Sequence, residues 1–229
     1  MRLRNGVTKR SIEIKICGLT DPESAAACAD FGVDAIGLVF YSRSPRFVTD
    51  ARAAEIARAV AGRTALVGVF VDETFAAILD RAKRCGLTAV QLHGRESPTL
   101  VRRLRESGLV VIKALFHERA PFIKEAPRYD ASAFLLEWGR GRLPGGNAQS
   151  WNWSLATEFD SSRPLILAGG LAPHNVARAL ASGRPAAVDV SSGVESTPGV
   201  KDLRKVEAFV AEVRNCQTPD KYTARRIFS

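Results

Sequence analysis

The sequence has few cysteines, and none of them is spaced for a metal site or a disulfide framework. The four cysteines of this 229-residue chain lie far apart and form no CxxC pair: Cys17, Cys28, Cys85 and Cys216. Zinc sites and disulfide scaffolds need closely spaced or more numerous cysteines. The pattern therefore predicts a cytoplasmic protein with reduced thiols and no zinc site.

The chain also lacks a long hydrophobic run. No stretch of 18 or more apolar residues occurs, so we expect no membrane span. The basic N-terminus has no apolar segment behind it and does not resemble a secretory signal. The hydrophobic fraction of 46% and the charged fraction of 25% are those of an ordinary globular protein. A chain of this length can bury a sizeable core.

The body of the chain has little net charge of its own. Residues 1–10 carry four basic residues and no acid, and residues 214–229 have a net charge of +3, so residues 11–213 keep only +2 of the total of +9. We expect a single domain over residues 12–214, with solvated basic tails at 1–11 and 215–229. No recognition motif accompanies the basic residues, so nucleic-acid binding by the tails is only a residual alternative.

Short apolar runs alternate with helix-like segments throughout the domain. The predicted strands are 12–17, 35–40, 66–71, 89–93, 110–116, 133–138, 164–168 and 187–190. The predicted helices are 22–32, 50–62, 74–85, 97–107, 120–126, a turn after Trp153, 173–182 and 200–214. Continuously apolar strands are buried on both faces, and alternation with helices indicates a parallel sheet. Eight such units predict an α/β fold of the (β/α)₈ TIM-barrel type, with residues 139–146 as a loop over its mouth.

Ionisable side chains follow several of the predicted strands. They are Cys17, Arg46, His93, Glu137 and Asp189. The carboxyl ends of the strands form the catalytic face of such a barrel, so we expect these groups to line one mouth. Taken singly, each has a structural interpretation: Cys17 as a buried thiol, Arg46 and Asp189 as a loop salt bridge, and His93 as a satisfied strand-end histidine.

Small residues follow the last two strands. Gly169 and Gly170 come after the seventh strand, and Ser191 and Ser192, followed by Gly193, come after the eighth. Loops in these positions commonly bind phosphate through backbone N–H groups and a helix N-terminus. We therefore predict a small phosphorylated substrate, bound at Gly169, Gly170, Ser191 and Ser192.

Six motifs, in order, resemble those of the phosphoribosylanthranilate isomerase family. They are Lys-Ile-Cys-Gly-Leu (15–19), Ser-Pro-Arg (44–46), Val-Gly-Val-Phe (67–70), Val-Gln-Leu-His-Gly (90–94), Leu-Ala-Gly-Gly-Leu (167–171) and Val-Asp-Val-Ser-Ser-Gly-Val-Glu (188–195). The resemblance spans residues 12–213. It implies an isomerase of tryptophan biosynthesis that converts N-(5-phosphoribosyl)anthranilate to 1-(2-carboxyphenylamino)-1-deoxyribulose 5-phosphate by an Amadori rearrangement, with no metal or organic cofactor.

The resemblance also implies roles for the strand-end residues. Cys17 resembles the family's general base, acting as a thiolate whose pKa we expect the positive mouth to lower. Arg46 resembles the residue that faces the anthranilate carboxylate. Asp189 resembles the acidic residue near the sugar, and His93 is expected to contact substrate. The expected partner is a small phosphorylated substrate, with no membrane contact, and the chain is expected to be a monomer or a homodimer.

One position departs from the family pattern. The family has aspartate after its Phe-Leu-Leu run, where this chain has Glu137, and the following loop, residues 144–153, also differs. Glu137 remains the expected general acid, with its carboxyl displaced by about 1 Å or more. Two alternatives therefore stay open: a paralogue that isomerises another phosphorylated aminosugar, and a non-catalytic barrel that binds a phosphorylated ligand.

Overall fold

Eight parallel strands form a closed barrel in the computed structural model, which describes residues 12–139, 151–159, 162–216 and 226–228. The strands pair in chain order, and the last pairs back onto the first. They are β1 (Glu13–Cys17), β2 (Ala35–Val39), β3 (Ala65–Phe70), β4 (Ala89–Leu92), β5 (Val110–Phe116), β6 (Ala133–Glu137), β7 (Leu165–Leu167) and β8 (Ala187–Val190). The predicted TIM barrel is confirmed.

Helices surround this barrel. They are α1 (Pro22–Asp30), α2 (Asp50–Val60), α3 (Phe75–Arg84), α4 (Pro98–Glu106), α5 (Val176–Gly183) and α6 (Leu203–Asn215). Short 3-10 helices, Ile123–Arg128 and Trp153–Glu158, follow β5 and β6. No helix in the described part of the chain is both long and apolar enough to cross a bilayer.

Side-chain caps fix where several of these helices begin. The side chains of Thr49, Thr74 and Ser97 each accept a hydrogen bond from a backbone N–H in the first turn that follows. Such caps satisfy N–H groups that have no partner within the helix. Asp21 caps α1 in the same way, one residue before Pro22. This local chemistry explains why most helix starts could be predicted to within a few residues.

The segment after β8 differs from the prediction. We expected the last helix to begin at Val200, but Val200–Lys201 forms β10, which pairs antiparallel with β9 (Glu195–Thr197). The helix begins only at Leu203, with Asp202 as its cap. The hairpin is too short to leave an alternating pattern in the sequence, and it brings Glu195 and Lys201 together at the mouth of the barrel.

The strands separate two apolar regions. One lies between barrel and helices and includes Ile14, Ile16 and Leu38. The other fills the barrel interior and includes Ala35, Val67, Ala89, Ile112, Ala133, Leu135, Ile166 and Ala187. Because side chains alternate along a strand, the interior residues of β1 are Glu13, Lys15 and Cys17. Three polar side chains of one strand therefore face the inside of the barrel, and Cys17 stands at its carboxyl end.

The last described residues lie at the amino-terminal end of the barrel. The backbone N–H groups of Ile227 and Phe228 donate to the two carboxyl oxygens of Glu13, at 2.7 and 3.2 Å. The Ile227 side chain is buried and belongs to the interior apolar cluster. The predicted solvated tail is therefore wrong for Ile227 and Phe228, because an apolar side chain and a buried carboxylate hold them against the barrel. Residues 1–11 lie outside the described residues.

We expect Glu13→Gln to lower thermal stability. The carboxamide keeps one acceptor oxygen but places an NH₂ group against the second backbone N–H. The expected loss is about 2 kcal/mol, or a decrease of ~5 °C in Tm. Differential scanning calorimetry measures it. Glu207→Gln, an exposed change of the same kind on α6, is the control and should leave Tm unchanged. Equal Tm values for the two variants would contradict the role given to Glu13.

Candidate active site

Cys17 lies inside the barrel mouth beside a buried ion pair. The ammonium Nζ of Lys15 is 2.9 Å from Oδ1 of Asp189, and Lys15 is fully buried. This contact forms because β1 and β8 are neighbours and Lys15 pairs directly with Asp189 in their register. Opposite Cys17 on β2 stands Gly37, where an added Cβ would lie 2.7 Å from Sγ and 3.1 Å from Nζ of Lys15. Glycine at this position leaves the space that the thiol and the ammonium occupy.

The charges around Cys17 oppose one another. Burial raises the pKa of the thiol, the Lys15 and Lys201 ammonium groups act to lower it, and Asp189 acts to raise it further. The net direction is upward, so the prediction of a lowered pKa is wrong: loss of water outweighs the positive charges. For Lys15, burial alone would lower the pKa, but Asp189 and Cys17 hold it above its ordinary value.

A second polar group joins β4 to β6. Nε2 of His93 lies 3.1 Å from Oε2 of Glu137, and Nδ1 of His93 lies 3.0 Å from Nε2 of Gln91. All three side chains are buried. Gly169 leaves room beside the longer glutamate, because a Cβ there would lie 3.2 Å from Cγ of Glu137. The structure thus brings His93 and Glu137 into direct contact.

Arg46 is held by a carboxylate other than the one suggested by the sequence. Its Nε and Nη2 donate to the two oxygens of Glu195, at 2.8 and 2.7 Å, in a buried bidentate pair. The salt bridge considered between Arg46 and Asp189 does not form, since Asp189 pairs with Lys15. Burial opposes ionisation of Glu195, but Arg46 and Lys201 together hold its pKa below its ordinary value. The Nη1 side of the guanidinium takes no part in this pair.

The loops after β7 and β8 meet at close range. Gly169 and Gly170 have φ values of +87° and +68°, which side-chain-bearing residues rarely adopt. A Cβ on Gly193 would lie 1.9 Å from the carbonyl oxygen of Leu171, so only glycine permits this approach. Gly170, Ser192 and Gly193 help to line a cavity of about 510 Å³ between the two loops.

The serines after β8 have different surroundings. Oγ of Ser191 donates to the carbonyl oxygen of Cys17 at 3.0 Å and so ties β8 to β1. Ser192 begins the 3-10 helix Ser192–Val194 and lies on the cavity between the loops. Lys205 also lines this cavity, and its Nζ donates to the carbonyl oxygen of Glu195 at 2.8 Å. The arrangement suits a phosphate group, with Ser191 holding the loop in place.

Sequence reasoning missed several residues of this site. They are Lys15, Gln91, Glu195 and Lys201, together with the buried pair of Lys113 and Glu96. Nζ of Lys113 also donates to the carbonyl oxygens of Leu92 and Gly94, on either side of His93. The available signal was a lysine or glutamine inside an otherwise apolar strand, since such a residue must find a buried partner. The predicted loop over the mouth lies mostly in residues 140–150, outside the described residues.

Comparisons with known proteins agree on one family. The family model described as N-(5'phosphoribosyl)anthranilate (PRA) isomerase matches residues 14–212. The N-(5'-phosphoribosyl)anthranilate isomerase of Desulfatibacillum aliphaticivorans is 49% identical over 219 residues, which cover 96% of this chain and 100% of the relative.

Two solved structures are also similar. One is of monomers of the dimeric phosphoribosylanthranilate isomerase from Thermotoga maritima, with a TM-score of 0.78 and 37% identity over 88% of this chain and 98% of that one. The other is a phosphoribosyl anthranilate isomerase in complex with reduced 1-(o-carboxyphenylamino)-1-deoxyribulose 5-phosphate. It has a TM-score of 0.78 and 38% identity, with the same coverage of both chains.

We expect the Cys17 thiol to ionise at higher pH than an ordinary cysteine, which has a pKa of about 8.5, because burial raises its pKa. Thiolate absorbance near the far-ultraviolet edge, followed as a function of pH, measures this ionisation. The difference between the wild type and Cys17→Ser isolates Cys17 from the other three thiols. A midpoint below that of a free cysteine would contradict the expectation.

Proposed function

The chain belongs to the N-(5'-phosphoribosyl)anthranilate isomerase family, and we propose that Cys17 and Glu137 are the general base and general acid of its reaction. The activity is the isomerisation of N-(5-phosphoribosyl)anthranilate to 1-(2-carboxyphenylamino)-1-deoxyribulose 5-phosphate in tryptophan biosynthesis. The observation that carries the proposal is a family match over residues 14–212 together with a buried thiol and a buried carboxyl group at strand ends of one barrel.

Ring opening is assigned to Glu137. A carboxylic acid at the end of β6 donates its proton to the ribose ring oxygen as the C1–O bond breaks, and the nitrogen lone pair forms the C1=N iminium. The resulting carboxylate is stabilised by His93, whose Nε2 is 3.1 Å from Oε2. A donor in this position favours proton loss from the acid, because it stabilises the charge that forms. His93 thereby supports the acid through a hydrogen bond.

Proton abstraction is assigned to Cys17. The iminium makes the proton on C2 acidic, and the thiolate removes it, so that the C2–H electrons form the C1=C2 bond of an enolamine. The enolamine then becomes the ketone as C1 gains a proton and the C2 hydroxyl loses its own, so that its O–H electrons form the C2=O bond. Because burial raises the pKa of the thiol, the Lys15 and Lys201 charges are what favour the thiolate form here. Asp189 keeps Lys15 charged and in place.

Substrate binding is assigned to the remaining strand-end groups. The phosphate is assigned to the cavity between the loops after β7 and β8, which Gly170 and Ser192 line, while Gly169 stands beside it in the same loop and Ser191 anchors the other loop. Arg46 can present its Nη1 side to the anthranilate carboxylate while Glu195 fixes the other side. The ligand named for the solved relative carries both a phosphate and a carboxyphenyl group, which supports this assignment.

The alternatives differ in what they require of the site. A paralogue acting on another aminosugar would keep the thiol and the phosphate loops, whereas a binding barrel would need neither base nor acid. The chain retains the whole set, and its relatives bear the isomerase name, which favours the family's own reaction. The dimeric Thermotoga maritima relative favours a homodimer over a monomer, and the four free cysteines fit a cytoplasmic location.

We expect the purified wild-type protein to isomerise N-(5-phosphoribosyl)anthranilate and Cys17→Ser to abolish turnover. Loss of the substrate's anthranilate fluorescence measures the rate. Glu137→Gln, which removes the acid, should reduce kcat by about 10²-fold or more. Cys28→Ser, a buried thiol outside the interior cluster, is the control and should keep kcat. Fluorescence decay no faster than in buffer would refute the isomerase activity.

We expect Arg46→Lys to raise KM more than it lowers kcat, because an ammonium cannot pair with two carboxylates in the fork geometry of a guanidinium. Glu195→Gln is the matched variant, since it weakens the same ion pair while leaving the guanidinium present. Steady-state kinetics on both proteins separates the two effects. If Glu195→Gln raises KM as much as Arg46→Lys does, Arg46 acts through loop structure and does not contact the carboxylate.

A further inference from the structure

Among the described residues, the side-chain amide nitrogen of Gln91 has a hydrogen-bond partner and its oxygen has none. Gln91 lies on β4, two residues before His93, and is 1% exposed. Its Nε2 contacts Nδ1 of His93 at 3.0 Å, whereas its Oε1 is buried with no hydrogen-bond partner among the described residues. A buried carbonyl oxygen without a partner is costly and uncommon in native proteins. The orientation of the amide is therefore not set by a hydrogen bond to Oε1.

The contact with Gln91 determines which nitrogen of His93 carries the proton. A carboxamide nitrogen only donates, so Nδ1 of His93 must accept and carries no proton. In the neutral imidazole the proton is then on Nε2, which faces Oε2 of Glu137 at 3.1 Å. The hydrogen bonds thus run in one direction, from Gln91 to His93 and from His93 to Glu137.

The opposite orientation of the amide would reverse this direction. Oε1 of Gln91 would then accept from Nδ1–H of His93, and the unprotonated Nε2 would have no proton to give to Glu137. Either orientation leaves one amide atom unpaired, so Gln91's own hydrogen bonds do not decide between them. Oε2 of Glu137 does, because the acid carries its proton on the other oxygen and Oε2 can then only accept.

We propose that Gln91 is a positioning residue that keeps His93 in the Nε2–H tautomer, so that His93 donates to Glu137 as that carboxyl group gives up its proton. The proposal rests on the general-acid role proposed for Glu137. The proton given to the substrate leaves from the oxygen that His93 does not contact, and the negative charge that remains is met by Nε2–H. Gln91 itself acts only through His93.

The tautomer is measured directly by ¹⁵N NMR of the histidine side chains. The chain has three histidines, so His117→Asn and His174→Asn assign the signals. In the wild type at neutral pH we expect Nδ1 of His93 to be unprotonated. In Gln91→Glu, whose carboxylate only accepts, we expect Nδ1 to be protonated. A protonated Nδ1 in the wild type, or an unchanged Nδ1 in Gln91→Glu, would overturn the proposal.

Kinetics test whether the tautomer matters for the reaction. Gln91→Met should lower kcat by about 10-fold, a part of what a general acid contributes, with KM changed less than about twofold because no substrate contact is lost. In a His93→Asn background the same substitution should have little further effect, since residues that act through one another are not additive. An unchanged kcat in Gln91→Met, or additive losses in the double variant, would contradict the proposal.

Val69→Ala serves as the control for a loosened interior. Val69 faces the interior of β3 and pairs with Gln91 in the strand register, but it has no hydrogen-bonding group. Val69→Ala should leave the His93 tautomer unchanged. If Nδ1 of His93 became protonated in this variant as in Gln91→Glu, the effect would be due to packing. The NMR measurement needs no turnover. A wild type without isomerase activity would therefore refute the proposed function while the tautomer result still decides the role of Gln91.

Discussion

The buried ion pair between Lys15 and Asp189 is the interaction on which the carboxyl-terminal mouth of the barrel depends. A lysine without water needs a close carboxylate, and losing one partner of such a pair typically costs about 3–5 kcal/mol. Closure of the barrel supplies the partner, because β8 lies beside β1 with Lys15 and Asp189 in register. The same closure places a positive charge next to Cys17, which would otherwise be an ordinary buried thiol. Closure of the barrel therefore forms the ion pair and also sets the charges that surround the Cys17 thiol.

Glycine makes this arrangement possible at several points where backbone or side chains approach closely. Gly37 leaves space for the thiol and the lysine, Gly169 leaves space beside Glu137, and Gly193 lets the loops after β7 and β8 meet. The departure from the family's aspartate at position 137 is explained in part by these contacts. The longer side chain reaches His93 and packs against Gly169, so its carboxyl group is held by neighbours suited to its length.

Much of the fold could be predicted from local patterns. The apolar runs predicted all eight barrel strands, and the helix starts predicted at Thr74 and Ser97 fall on the residues that cap α3 and α4 in the structure. The hairpin of β9 and β10 could not be predicted, since segments of three and two residues carry no periodicity. The predicted lowering of the Cys17 pKa was also wrong. The shift depends on how fully the thiol is buried, and burial is a property of the assembled barrel.

The sequence by itself determined the barrel class, the family resemblance and the set of ionisable groups at the strand ends, because strand periodicity, glycine positions and short motifs are local. Only the tertiary structure decided which residues these groups contact. Asp189 pairs with Lys15, Arg46 pairs with Glu195, and Glu137 contacts His93, which in turn contacts Gln91. Each of these contacts joins two different strands or loops, except the contact of Gln91 on β4 with His93, which directly follows that strand. Their geometry follows from strand register and barrel closure, which no local pattern contains.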